Sequence, residues 1–230
     1  MKNIIITGAS KGIGYATALE LLNAGCCVIA VARSMDSLKK LKDESTSENI
    51  FLVEADITTS NGRIDILKVS QSLGRIDGLI NNAALLINKP FLDLTIEEWI
   101  NHFDLNLFSI VEIIKNLTPL FQRNAHILNI GSMGGYQGSV KFKGLSAYSA
   151  SKSALANLTE SLAIELEDRE IRVNCLALGA VATEMQKNAF PDFKPAISAN
   201  MMGNFVANFA IKDGLLFNGK VIPVALNNPS

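Results

Sequence analysis

The 230 residues are 48% hydrophobic and 19% charged, enough to bury a sizeable core, and α/β chains of this length commonly form one domain. The balance of 21 Lys and Arg against 22 Asp and Glu leaves a formal net charge of −1, which offers no broad basic surface to nucleic acid or to an anionic membrane. Cys26, Cys27 and Cys175 lack CxxC or Cys/His spacing, so neither a disulfide framework nor a metal site is readable, and no apolar run is long enough for a membrane span or a signal peptide.

Short β-branched runs alternate with stretches of helical period. IIIT (4–7) precedes a helical stretch at 13–24, CVIAVA (27–32) one at 35–46, IFLVEA (50–55) one at 60–73, and IDGLIN (76–81) one at 95–122. HILNIG (126–131), a helix near 146–168, IRVNCLA (171–177), a helix near 198–211 and KVIPVA (220–225) complete the series. Continuous apolar runs are strands buried on both faces, joined in parallel by helical crossovers. The pattern predicts an α/β fold, a single Rossmann-type domain over 1–230 whose doubly wound parallel sheet has about seven strands flanked by helices. Ligands bind such sheets beyond the carboxyl ends of the strands, so the loops after each strand carry the information.

The first such loop is Thr7-Gly8-Ala9-Ser10-Lys11-Gly12-Ile13-Gly14. Glycines permit a tight turn, let a pyrophosphate approach the backbone and leave helix N-terminal N–H groups aimed at its charge. The plainer reading is a strand-to-helix turn with small residues for packing. The glycines stand at 8, 12 and 14, which is neither GxGxxG nor a P-loop.

With GxxxGxG at its N-terminus, the chain resembles the short-chain dehydrogenase/reductase family, and further motifs follow in the family's order. The resemblance implies that Gly8, Ser10, Gly12, Ile13 and Gly14 surround a dinucleotide. The second strand ends Val31-Ala32-Arg33-Ser34, with no acid at its tip for a ribose 2′-hydroxyl. Family members of this kind hold a 2′-phosphate with basic residues at the positions of Lys11 and Arg33, so NADP(H) is favoured over NAD(H). Asp36 lies past the tip and reads as a first-turn acid of the next helix.

Asp56-Ile57 resembles the family's adenine-contacting pair, although the Asp could equally cap the following helix. Asn81-Asn82-Ala83-Ala84 resembles NNAG with Ala84 in place of Gly, implying contacts from Asn81 and Ala83. Asn106 matches the helix asparagine that holds a relay water, a buried Asn satisfied by backbone being the alternative. Tyr148-Ser149-Ala150-Ser151-Lys152 is YxxxK, and the four-residue spacing puts Tyr148 and Lys152 on one helix face. A free tyrosine titrates near about 10, so acid–base work near neutrality calls for a neighbouring cation, which Lys152 is placed to supply.

Ser132 ends the fifth strand and by resemblance hydrogen-bonds the substrate oxygen. Its 16-residue separation from Tyr148 is longer than the family's and implies a small insertion, with Ser139 a weaker rival. Gly179, Val181 and Thr183 resemble the PGxxxT segment at the nicotinamide end, with Leu178 in place of Pro; loss of Pro is expected to free the backbone there. His102, His126 and Cys175 match no motif and read as structural.

The resemblance implies a ketone or aldehyde interconverted with an alcohol by hydride transfer, with Asn106, Ser132, Tyr148 and Lys152 as the catalytic set. Small carbonyl substrates fit, among them 3-oxoacyl thioesters, sugars and quinones; the segment 184–197, with Met185, Phe190 and Phe193, is a candidate apolar lid, the alternative being a loop packed onto the body. A homo-oligomer built through the helices near 95–122 and 146–168 is implied; the three cysteines without a disulfide pattern fit a reduced, cytoplasmic setting. The competing reading is a non-catalytic dinucleotide sensor on the same fold.

Overall fold

The computed structural model describes residues 1–226. The first strand, β1 (Asn3–Thr7), is buried along its whole length, and the glycine turn hands it to helix α1 (Gly12–Asn23). Strand β2 (Cys27–Ala32) follows, then α2 (Met35–Ser45), capped by Ser34 accepting from the Ser37 N–H. Strand β3 (Ile50–Glu54) leads to α3 (Ser60–Leu73), capped by Thr59 and closed by Gly74 in the left-handed region, and then to β4 (Ile76–Asn81). Side-chain caps of this kind satisfy N–H groups that a helix start leaves without partners.

The single helix expected over 95–122 is broken. Helix α4 (Ile96–Phe103) begins in a reciprocal Thr95–Glu98 capping box, passes through a π-helical stretch at Asp104–Phe108, and resumes as α5 (Ser109–Leu117). Strand β5 (Phe121–Ser132) starts five residues earlier than its apolar run, because Phe121 already pairs with Ile76 before an irregularity shifts the register to Gly78–His126. Helix α6 (Ser146–Glu165), β6 (Arg172–Leu178), a short β7 (Val181–Ala182), α7 (Glu184–Ala189), β8 (Ile197–Ser198), α8 (Ala199–Ile211) and β9 (Val221–Val224) complete the order.

Seven strands form one parallel sheet in the order β3-β2-β1-β4-β5-β6-β9, and β7 pairs with β8 in a separate parallel ribbon. The order reverses between β1 and β4, the crevice where open α/β sheets take their ligands. Alternate side chains fill two cores. Ile4, Ile6, Val28 and Ala30 pack beneath α1 and α8 with Leu21, Val206 and Phe209. Ile5, Ile29 and Val31 pack on the opposite face against Ile66, Ile110, Ile113 and Leu155 from α3, α5 and α6. Gly203 lets α8 cross α1 closely, since a Cβ there would overlap Ala16.

Leu178 stands within β6 rather than beyond it. Leucine keeps the N–H that proline lacks, and the strand runs through Leu178, in register with Ser132 on one side and Val224 on the other.

Candidate active site

The carboxyl ends of β1, β4, β5 and β6 open into one cleft of about 1420 Å³. Its first wall is the glycine turn. Gly8 and Gly12 adopt φ of 71° and 61°, a region that favours glycine. A Cβ on Gly14 would overlap the Gly8 carbonyl and the Asn82 amide, so the third glycine is required by the approach of α1 to the turn. Lys11, at the N-cap position of α1, makes no side-chain cap, which leaves the first N–H groups of the helix toward the cleft. Gly8, Ser10, Lys11, Gly12 and Ile13 line it.

The turn is held from behind by β4. Asn82 Nδ2 donates to the carbonyls of Thr7 and Gly8 at 2.9 and 3.2 Å, while Thr7 Oγ1 accepts from the N–H groups of Asn82 and Ala83 at 3.1 Å each. The expected contact from Asn81 is not what the geometry provides. Asn81 ends β4 facing inward, is 1% exposed, and donates to Asn129 Oδ1 at 2.8 Å; its neighbour Asn82 lines the cleft instead. Strand alternation sends adjacent side chains to opposite sides, so a motif with two consecutive asparagines contains one of each. Ala83 and Ala84 line the cleft, and Ala84 has no positive φ, so the residue in place of the family's glycine is accommodated.

At the outer end stand Arg33, Asp56 and Ile57. Arg33 is exposed beyond the tip of β2. Asp56 does not cap α3, a role taken by Thr59; its Oδ1 accepts from the N–H and hydroxyl of Thr58 at 3.0 and 2.7 Å. Partial burial raises the Asp56 pKa, but the two Thr58 hydrogen bonds and the nearby Arg33 outweigh it and leave the carboxyl below its ordinary value. Asp36 sits in the first turn of α2, as its position past the strand tip implied. Lys11 meets Glu184 at 2.9 Å across the mouth, linking the glycine turn to α7.

At the inner end, Ser132, Tyr148 and Lys152 line the cleft together. Tyr148 and Lys152 are buried on one face of α6, the Lys152 ammonium lying 6.0 Å from the phenol ring centroid and donating to the Ile130 carbonyl at 2.8 Å. Burial pushes the Tyr148 phenol up, with the adjacent Ser132 hydroxyl acting in the opposite sense, and draws Lys152 down to about 8. The net direction for Tyr148 is upward, burial outweighing the hydrogen bond from Ser132. Burial likewise holds the Cys175 thiol at about 11, which makes it an inert core residue.

The segment between Ser132 and Tyr148 forms a short 3₁₀ turn, Met133–Gly135, and a loop. Ser139 donates to the carbonyls of Met133 and Tyr136, and Lys141 Nζ ties the carbonyls of Gly134 and Tyr136 at 3.0 and 2.7 Å. Ser139 thus folds the insertion and does not face the cleft, whereas Ser132 does. A Cβ on Gly135 would meet the Lys152 backbone at 2.7 Å, which explains the paired glycines.

Asn106 lies in the π-helical stretch, fully buried, outside the cleft lining. Its Oδ1 accepts from the Leu85 N–H at 2.8 Å and its Nδ2 donates to the Leu85 carbonyl and to Ser151 Oγ at 3.0 Å each. With both amide protons engaged, the side chain serves as a strut between the loop after β4 and α6, the alternative that the sequence left open.

Gly179, Val181 and Thr183 line the far wall. Thr183 caps α7 and its methyl would stand 3.3 Å from a Cβ on Gly12, so this segment closes against the glycine turn. Met185, Phe190 and Phe193 face the same cleft from the 184–197 segment, joined by Leu85, Leu86 and Phe142, which no motif had marked.

The family model for short chain dehydrogenase matches residues 2–194. An oxidoreductase, BOA17, of Botryotinia fuckeliana is 33% identical over 182 residues, 78% of this chain, and the match spans 65% of that relative. A benzil reductase, IRC24, of Saccharomyces cerevisiae that forms (S)-benzoin is 32% identical over 196 residues, 81% of this chain and 74% of the relative. The crystal structure of a 3-ketoacyl-(acyl-carrier-protein) reductase from Brucella melitensis complexed with NADH superposes with a TM-score of 0.87 at 24% identity, covering 97% of this chain and 96% of that one.

Proposed function

The chain belongs to the short-chain dehydrogenase family, nicotinamide-dependent oxidoreductases of carbonyl and alcohol groups, and on that premise we propose an NADP(H)-preferring carbonyl reductase whose proton donor is Tyr148. The observation that carries this reading is the cleft itself, with a bare glycine turn and a helix N-terminus at one end and Ser132, Tyr148 and Lys152 at the other. Gly8 and Gly12 line that end of the cleft without side chains, and a bare turn at a helix N-terminus suits a pyrophosphate.

Gly8, Ser10, Gly12 and Ile13 would hold the pyrophosphate, Asp56 and Ile57 the adenosine end, and Val181 and Thr183 the nicotinamide end. When bound, the nicotinamide supplies or takes the hydride. Ser132 orients the substrate oxygen, Tyr148 passes it a proton, and Lys152 stabilises the resulting phenolate. Asn106 keeps the loop after β4 and α6 in place around them.

The preference for the 2′-phosphate rests on Lys11 and Arg33, two cations on adjacent loops of the same cleft edge. Glu184 competes for Lys11, but both side chains are more than half exposed, and exposed pairs of this kind are worth at most about 1 kcal/mol. A phosphate can displace that partner. The bound NADH belongs to the Brucella neighbour, whose likeness speaks for the fold.

For substrate, an aromatic or otherwise apolar ketone suits a wall of Leu85, Leu86, Phe142, Phe190 and Phe193, and the named substrate of the yeast relative, benzil, is of that class. A single α/β domain in a cytoplasmic setting, associating with copies of itself, completes the reading.

The test is a titration with NADPH and NADH followed by nicotinamide fluorescence, in wild type and Arg33→Ala, with reduction of benzil and of a 3-oxoacyl thioester measured alongside. NADPH should bind at least about tenfold more tightly, as one charge-assisted contact permits, and Arg33→Ala should erase the difference. Equal or tighter binding of NADH overturns the cofactor preference. Failure of both to bind returns the non-catalytic sensor to the front.

A further inference from the structure

The segment that follows β4 is held at residues 85, 87 and 89 by one face of the next helix. Asn106 holds Leu85 through two amide hydrogen bonds. One turn back, His102 Nε2 accepts from the Ile87 N–H at 3.2 Å while its Nδ1 donates to the Glu98 carbonyl at 2.7 Å. Another turn back, both Glu98 carboxylate oxygens receive the Lys89 ammonium at 3.0 Å, and Oε2 also accepts from the Thr95 N–H at 2.8 Å.

The spacing explains the fit. Positions 85, 87 and 89 run antiparallel to 106, 102 and 98, each second residue of the segment meeting about one turn of the helix. The Ile87 N–H can only donate, so His102 Nε2 must accept and its proton sits on Nδ1; the ring is a neutral, fully buried peg.

The residues between carry the segment's other contacts. Leu86 lines the cleft. Asn88 reaches the other way along the same edge, donating through Nδ2 to the Ala189 carbonyl at 2.7 Å, the C-terminal residue of α7. Lys89 N–H meets the Gly144 carbonyl at 2.9 Å, joining the segment to the loop that precedes α6 and Tyr148. The same five residues therefore touch the cleft, the lid and the loop that leads into Tyr148.

We propose that His102 and Asn88 are positioning residues for the active cleft: His102 sets the register of residues 85–89 on α4, and Asn88 passes that register to the lid, α7. A slip of the segment at Ile87 would displace Leu85 and Leu86 in the wall and carry Asn88 away from Ala189. The proposal rests on the cleft being the substrate site only for its catalytic meaning. The coupling itself belongs to the protein without cofactor and is tested there.

Hydrogen–deuterium exchange of the cofactor-free protein reads it directly, peptide by peptide. Asn88→Asp keeps the side chain's size and removes its donor; exchange over 184–197 should speed up about fivefold, the ratio expected for one lost hydrogen bond, with the β4 and β5 peptides unchanged. His102→Leu, which removes the acceptor for Ile87, should accelerate both 85–89 and 184–197. His102→Gln, which can again accept from Ile87 and donate to Glu98, should restore protection at both. Unchanged lid exchange in Asn88→Asp overturns the proposal, and it stands on a surface variant that does not disturb the core. Acceleration spread evenly over the sheet in His102→Leu, or failure of His102→Gln to restore the two segments, reduces His102 to a core residue and also overturns it.

Discussion

Tyr148 and Lys152 stand one helical turn apart, and desolvation acts on them in opposite chemical senses. It disfavours phenolate, so Tyr148 stays a neutral acid, and it disfavours ammonium, so Lys152 comes down to about 8. A neutral phenol beside a cation is the form needed to give a proton to a carbonyl oxygen, since the lysine charge stabilises what the donation leaves behind. Tyr148→Phe removes the proton and preserves the ring that packs beneath the loop. Carbonyl reduction should fall by roughly 10²–10⁴-fold, the usual contribution of a positioned acid, while NADPH titration stays at the wild-type value. Turnover within tenfold of wild type would remove Tyr148 from the mechanism. YxxxK made this pair legible in the sequence. Its electrostatics were not, because the net shift depends on how deeply α6 is sunk beneath the Ser132 turn.

His126 ties three elements together: it lies on β5, its Nδ1 donates to the Ala210 carbonyl of α8 at 3.1 Å, and its Nε2 accepts from Asn174 of β6 at 3.0 Å. Burial lowers its pKa to about 4 from an ordinary 6.5. The unfolded chain therefore binds a proton between these values that the folded one refuses. Stability from this group is complete above pH 6.5 and falls as pH drops toward 4, by about 3 kcal/mol in total. Urea unfolding at pH 7 and pH 5 should give a larger loss for wild type than for His126→Gln, which has no proton to gain. Equal losses in both would mean that His126 does not couple folding to pH. Elements of this kind were visible as apolar runs, yet their ends were not. The apolar period over 95–122 hardly falters and reads as one helix, while the π-helical stretch at 104–108 carries Asn106, whose partner Leu85 lies 21 residues away.

At the scale of the molecule, the parallel sheet of seven strands follows from the alternating runs, while its order, and the cleft where that order reverses, come from the structure. Which member of the Asn81–Asn82 pair faces the cleft depends on the register of β4 against β1, so the sequence alone does not mark Asn82. What the fold leaves uncovered is also informative. Ile96 and Ile100 on α4, Phe108 beside it and Ile164 on α6 are each more than half exposed. Monomers rarely leave large contiguous apolar surface in water. Each such side chain contributes roughly 1.5–3 kcal/mol when fully buried, so a symmetric face that covers these residues on both copies can offset an association cost on the order of 10 kcal/mol. Light scattering at micromolar concentration should give a dimer or tetramer mass for wild type. Ile100→Glu combined with Ile164→Glu places charges where that contact would form and should shift the mass to the monomer, with the far-ultraviolet circular dichroism unchanged. A wild type that scatters as a monomer, or a double variant that keeps the oligomeric mass, would exclude these helices as the interface.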